Sequence, residues 1–155
     1  MINLVWYKFE ELNTVQLYDI LALRQNVFVL EQRCFYQDID YKDQQAMHLL
    51  GTKDNQLISY LRFFPKGTVY ADEASFGRII SLAKHQKVGL GKTMMTKLLH
   101  YFDENYPGET MLINAQLYLQ DFYKRFGFQT IGNAYDEDGI MHIDMRRLAA
   151  KAPFL

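Results

Sequence analysis

Residues 77–92, Gly77-Arg78-Ile79-Ile80-Ser81-Leu82-Ala83-Lys84-His85-Gln86-Lys87-Val88-Gly89-Leu90-Gly91-Lys92, constrain this chain more than any other stretch. A short apolar strand runs into a glycine-containing loop, and the loop opens an amphipathic helix. Gly89 and Gly91 let the backbone turn tightly and approach a ligand closely. The first helical N–H groups have no intrahelical partner, and with the helix dipole they favour a phosphate or pyrophosphate. Lys92 and Lys87 add positive charge. The segment predicts an anion cradle.

One phosphate loop of this kind is G-x-x-x-x-G-K-[ST], and Gly91-Lys92-Thr93 matches its end. Gln86 stands where the opening glycine belongs, and no apolar strand ending in Asp supplies a magnesium site. A nucleotide hydrolase is thus an incomplete match.

The remaining pattern places this loop in an α/β chain. Residues 2–8 read as a strand. Thr14 is expected to cap a helix running to residue 32, with Leu17, Ile20, Leu21, Val27 and Phe28 on one face. Arg24 falls on that same face, so it calls for an ion-pair partner or lines a pocket. Residues 33–45 look irregular. Residues 47–52 and 57–65 read as a hairpin turning at 53–56, and residues 76–82 as another strand. A helix is expected over 88–106, with Met94, Met95, Leu98, Leu99 and Phe102 as its core stripe. Residues 111–115 form a strand and 117–126 a helix, with Gly127 suited to a left-handed C′ position. Residues 128–135 and 139–146 make a final hairpin. The order β, α, β, β, β, α, β, α, β, β implies a mixed sheet with helices on its faces.

With 155 residues, the chain fits one domain with one core. A formal net charge of -1 gives no general attraction for nucleic acid. The single cysteine, Cys34, excludes an internal disulfide and suits a reducing compartment. No signal peptide and no membrane-length apolar run is seen, so a cytoplasmic protein away from membranes is expected. His48, His85, His100, His142 and Cys34 lack tight metal-ligand spacing, so no metal is expected.

Gln86-x-x-Gly89-x-Gly91 resembles the [QR]-x-x-G-x-[GA] coenzyme A loop of the GNAT N-acetyltransferases. Downstream, Gln116-Leu117-Tyr118-Leu119-Gln120-Asp121-Phe122-Tyr123-Lys124-Arg125-Phe126-Gly127-Phe128 resembles the family stretch N-x-x-A-x-x-[FL]-Y-x-x-x-G-F. Gln116 replaces the usual Asn, and Leu119 a common small residue. Further blocks are similar to the ElaA-like branch of that family: residues 24–32, Tyr36-Gln37-Asp38-Ile39-Asp40, His48-Leu49-Leu50-Gly51, Gly77-Arg78, Ala115-Gln116, and Glu137-Asp138-Gly139-Ile140-x-His142.

The resemblance implies a single GNAT (acyl-CoA N-acyltransferase) domain over residues 1–155. Its mixed central β-sheet would be splayed between strands 4 and 5, with flanking helices. Acetyl-coenzyme A would be the cofactor, and an amine of a small molecule or peptide the acceptor. The backbone of Gln86, Lys87, Val88, Gly89, Leu90, Gly91 and Lys92 would hold the pyrophosphate. Ile79 and Ser81 would pair with the pantetheine arm like an added strand, with residues 113–116 as the other wall and Gln116 and Phe122 lining it. An N–H of Ile79 or Ile80 would stabilise the carbonyl oxygen. Tyr123 falls on the tyrosine that the family uses as general acid.

His48 and Glu137 are candidate bases, and His48 equally suits a hydrogen-bonded structural role. Arg24, Tyr36, Gln37, Asp38 and Arg78 are candidate acceptor-binding residues. The acids Asp38, Asp40, Asp43, Asp136, Glu137 and Asp138 either draw a cationic amine or form solvated loops. His142 reads as structural, and Cys34 as a bystander without a base partner. The competing function is a non-catalytic sensor or interaction module that holds coenzyme A; retention of Tyr123 favours an enzyme. An exposed sheet edge leaves room for a homodimer.

Overall fold

The computed structural model describes residues 1–86 and 89–149, with only the backbone of Gln86. Lys87 and Val88, two residues of the predicted phosphate loop, lie outside the described residues. The chain gathers into two compact units, Met1–Phe64 with Phe76–Gly91, and Pro65–Ser75 with Lys92 onward.

The first unit is built on a four-stranded sheet in the order β1 (Asn3–Lys8), β2 (Met47–Lys53), β3 (Gln56–Phe64), β4 (Ser75–Ser81). β2 and β3 are joined by a two-residue turn, Asp54-Asn55, with Lys53 opposite Gln56. Both turn residues have positive φ, 51° and 62°, as a type I′ hairpin requires. β3 is buried from Ile58 to Phe64, which a central strand covered on both faces demands. Ile20, Leu50 and Tyr60 form a cluster inside this unit, joined by Tyr7, Leu12, Leu23 and Leu57.

The first helix differs from expectation at both ends. Asn13, not Thr14, caps it: its side chain accepts from Gln16 N–H while Gln16 reaches back to the Asn13 N–H. α1 (Thr14–Arg24) then widens into a π-helical stretch, Gln25–Glu31, closed by Gln32 N–H on Val27 O.

The second unit holds a three-stranded antiparallel sheet. β7 (Ile140–Arg147) lies between β5 (Met111–Gln116) and β6 (Phe128–Glu137). The β6–β7 turn is Asp138-Gly139, again with positive φ at both residues. β4 therefore closes one sheet and β5 opens the other, which is the expected break between strands 4 and 5. Just before β4, Ala74 makes one parallel bridge to Met111.

α2 (Ala83–Gln86) is a short helix that the sequence pattern did not signal. α3 (Leu90–Asn105) starts two residues later than predicted, and its Met94, Met95, Leu98, Leu99 and Phe102 are buried as expected. The helix expected over 117–126 divides into a 3-10 turn, Leu117–Leu119, and α4 (Gln120–Lys124). Gly127 follows with φ 90°. Among the described residues, no helix is long and apolar enough to cross a membrane.

Candidate active site

The described end of the glycine loop joins a left-handed turn to a helix start. Gly89 takes φ 74°, a left-handed position that favours glycine, and α3 begins at the next residue, Leu90. Leu90 is buried, which fixes the first turn; Lys92 is exposed. The opening N–H groups of a 16-residue helix thus follow directly on the turn.

Upstream, β4 carries a conformational outlier. Arg78 has φ 51° within the strand, beside Gly77. Bulky residues rarely take this conformation, and a strand interrupted so re-aims its next amides. Those amides belong to Ile79 and Ile80, the residues expected to face a carbonyl oxygen. Ile80 is buried; Ile79 and Ser81 are half-buried.

In the second unit, Tyr123 sits on α4 and is only 3% exposed. Its ring meets Phe122 and Phe128, at centroid separations of 5.3 and 6.0 Å. Burial pushes the Tyr123 phenol above its ordinary pKa, and nearby Tyr118 adds to the effect. The group is a neutral phenol near neutral pH, as any tyrosine is, and burial keeps it so to higher pH. Gln116 closes β5 and is half-buried, as is Phe122.

A model of the acetyltransferase (GNAT) domain matches residues 15–149, a span that runs through both units. This chain belongs to the GNAT family. It is 38% identical to the protein ElaA of Escherichia coli over 144 residues, covering 92% of this chain and 94% of ElaA. The crystal structure of E. coli ElaA superposes with a TM-score of 0.88 at 37% identity, covering 95% of this chain and 99% of that one. An acyl-CoA N-acyltransferase from Pseudomonas aeruginosa gives a TM-score of 0.86 at 33% identity, covering 94% and 99%. The protein is thus a GNAT N-acyltransferase-family member of the ElaA-like branch, with the fold that generally binds acyl-coenzyme A.

Arg24, Tyr36, Asp38 and Arg78 of this GNAT chain fall into a polar network of the first unit. Arg24 is 0% exposed. Its Nε donates to Asp38 Oδ2 at 2.9 Å, Nη1 to Asp43 Oδ1 at 2.8 Å, and Nη2 to the Asp38 carbonyl at 2.8 Å. Arg62 also donates to Asp43 Oδ1, at 2.8 Å, and grips Asp40 with two bonds of 2.9 and 2.6 Å. Arg78 donates to Asp38 Oδ1 at 2.7 Å and lies 4.9 Å over the Tyr36 ring. Three arginines thus meet three aspartates, a balance that burial requires. Asp38 and Asp43 are buried and bonded to guanidinium groups, so they are not a solvated face. Gln37 is exposed, and burial pushes the Tyr36 phenol up to about 12.

His48 is also 0% exposed. Its Nδ1 lies 2.6 Å from Tyr60 Oη and its Nε2 2.8 Å from the Asp43 carbonyl. A carbonyl only accepts, so Nε2 carries the hydrogen and Nδ1 accepts from the Tyr60 hydroxyl. Burial lowers its pKa. Glu137 is half exposed and lies 3.7 Å from His142.

Arg62 was not singled out from the sequence, although it is a charge among the apolar residues of a strand, as Arg24 is on the apolar face of a helix. The sequence reading also missed the company kept by His142, since strand register alone brings Gln116 and Tyr135 beside it. Among the described residues, no cluster of three metal-ligating side chains is found.

Proposed function

We propose that this chain moves an acetyl group from acetyl-coenzyme A to an amine of a small molecule or peptide by direct attack, with Tyr123 as general acid. The observation that carries the reading is the Tyr123 phenol, buried on α4 in a chain of GNAT descent. The loop geometry supports it, since left-handed Gly89 and the opening of α3 suit a diphosphate.

When bound, the cofactor supplies an activated thioester. The amides at the start of α3 and around Gly89 and Gly91 hold its diphosphate. The β4 backbone at Ile79 and Ser81 pairs with its arm, and the N–H of Ile79 or Ile80 stabilises negative charge on its carbonyl oxygen. Gln116 and Phe122 line the arm, and Tyr123 gives its proton to the departing sulfur. Arg78, Tyr36, Asp38 and Arg24 shape the acceptor side as one rigid loop assembly, with Gln37 at its surface. The whole chain works as one catalytic domain, a reading that the span of the matched family model supports. The protein works in the cytoplasm.

Calorimetry with coenzyme A and a thiol-release assay across primary and peptide amines test the reading. Micromolar binding with amine-dependent thiol release is expected. Absence of coenzyme A binding would defeat it.

A further inference from the structure

The outward face of the β5–β7–β6 sheet carries a polar constellation that the reading above leaves unused. Directly opposed residues of an antiparallel sheet share a face. Gln116, His142 and Tyr135 form one row across β5, β7 and β6. Two residues along, Asn114 lies opposite Asp144 on the same face. The alternate residues Ile113, Ala115, Ile143 and Met145 are buried on the other face.

Hydrogen bonds tie Tyr135 to Asn114 and Asp144. Tyr135 Oη donates to Asp144 Oδ1 at 2.6 Å, and Asn114 Nδ2 donates to Tyr135 Oη at 2.8 Å. Tyr70 Oη donates to Asn114 Oδ1 at 2.7 Å. The His142 ring stacks on Tyr135, with centroids 6.2 Å apart and planes at 23°.

His142 itself is held in one tautomer. Its Nδ1 lies 2.8 Å from the Ile140 carbonyl oxygen. A carbonyl only accepts, so Nδ1 carries the hydrogen and Nε2 the lone pair. That Nε2 lies 3.7 Å from Glu137 Oε2. His48 has the opposite arrangement: its lone-pair nitrogen is sealed against Tyr60. A ring with a fixed donor side, a stacked face and a basic nitrogen beside a carboxylate has the parts of a general base.

We propose that His142 Nε2 takes the proton from the acceptor's ammonium group, with Glu137 beside it to balance the imidazolium charge. The assignment rests on the acetyl-transfer reading and adds to it. Gln116, expected to touch the pantetheine arm, is the direct cross-strand neighbour of His142. Tyr123 packs against Phe128, whose row contains the buried Met111, so the phenol works from the opposite face of the same sheet. The amine arrives on one side of the β5 edge and the thiol leaves on the other.

The protons balance. Nε2 removes one proton from the ammonium, leaving a neutral amine. Its nitrogen bonds to the acetyl carbon as the carbon–sulfur bond breaks and the electron pair stays on sulfur. Tyr123 protonates the sulfur, the second proton of the new amide nitrogen restores the phenol, and the imidazolium passes its proton to water.

The titratable and charged groups around His142 are Asp144 on its own strand, Tyr135 and Glu137 on β6, and Tyr70 beyond Asn114. Arg146, farther along β7, is held by Glu73 in two bonds of 2.8 Å.

The test compares wild type with His142→Gln on the amine that wild type uses fastest. The variant is expected to lose turnover by roughly 10²–10⁴-fold. It should also lose the acid-side breakpoint of the kcat/KM profile while keeping its affinity for coenzyme A. Nitrogen NMR of the wild type should place the neutral ring's hydrogen on Nδ1. A variant that keeps the breakpoint, or a hydrogen on Nε2, overturns the assignment while acetyl transfer stands. A wild type that binds coenzyme A and acetylates no amine overturns both.

Discussion

Arg78 Nε donates to Asp38 Oδ1 at 2.7 Å from a backbone in the left-handed region, with φ 51°. Such a conformation costs a bulky residue about 1–3 kcal/mol and persists only where the surroundings enforce it. Here the enforcement comes from Asp38, from the Tyr36 ring, and from Asp40 Oδ2 at 3.6 Å. The loop that carries these three residues is in turn anchored by Arg24 and Arg62. The strained point of β4 and the irregular loop therefore hold each other in place.

Asp43 is the hinge of that assembly, because one oxygen accepts from both Arg24 and Arg62. Asp43→Ala would leave two buried guanidiniums short of charge. Breaking a buried pair in this way costs about 3–5 kcal/mol. Urea unfolding should register that loss, and a change below about 1 kcal/mol would show that the network contributes little.

Gly51 faces Ser59 across β2 and β3. A Cβ at Gly51 would overlap Ser59 Oγ and stand 3.2 Å from Ser59 Cβ. Gly51→Ala should destabilise the protein by about 1–3 kcal/mol, as overpacking does. Adding Ser59→Gly should recover part of the loss; strictly additive effects would contradict the contact.

Tyr123→Phe removes a proton donor and keeps the ring that packs on Phe128. Turnover should fall about 10²–10⁴-fold while coenzyme A affinity holds. Steady-state kinetics and calorimetry on the same preparation separate the two quantities. Unchanged turnover would take Tyr123 out of the mechanism.

Stability should decline toward acid in two stages. Burial lowers the His48 pKa, so the folded ring stays neutral while the unfolded one takes a proton below about pH 6.5. Burial opposes the charge of Asp40, yet the hydrogen bond and charge of Arg62 outweigh it and hold this carboxyl far below the usual range. Its contribution is complete above the unfolded value, near pH 3.9, and is lost as pH falls from there toward the folded value. At the alkaline end, burial raises Tyr36 to about 12 and also raises Tyr60 and Tyr123. Unfolded phenols ionise near pH 10, so stability falls above that point. A urea midpoint that stays flat from pH 7 to pH 3 would refute the acid-side account.

Much of this architecture was legible in local chemistry. Asp54-Asn55 and Asp138-Gly139 turn where positive φ is cheapest, and the α3 stripe has one face to bury. The glycine loop and the Tyr123 stretch were readable because orphan amides and a phenol need particular residues at particular spacings. The helix boundaries were less legible. A π-helical continuation after Arg24 obeys nearly the same periodicity as an α-helix, and Asn13 and Thr14 are both competent caps.

The sequence by itself determined the strand before the glycine loop and the helix after it, the two tight hairpins and the GNAT descent, since these depend on residues close together or on blocks in fixed order. Only the tertiary structure decided which acids meet which arginines and which residues flank His142. Asp43 reaches Arg62 across 19 residues, and Gln116 reaches His142 through strand register. Such pairings depend on how distant segments pack, and no local propensity encodes them.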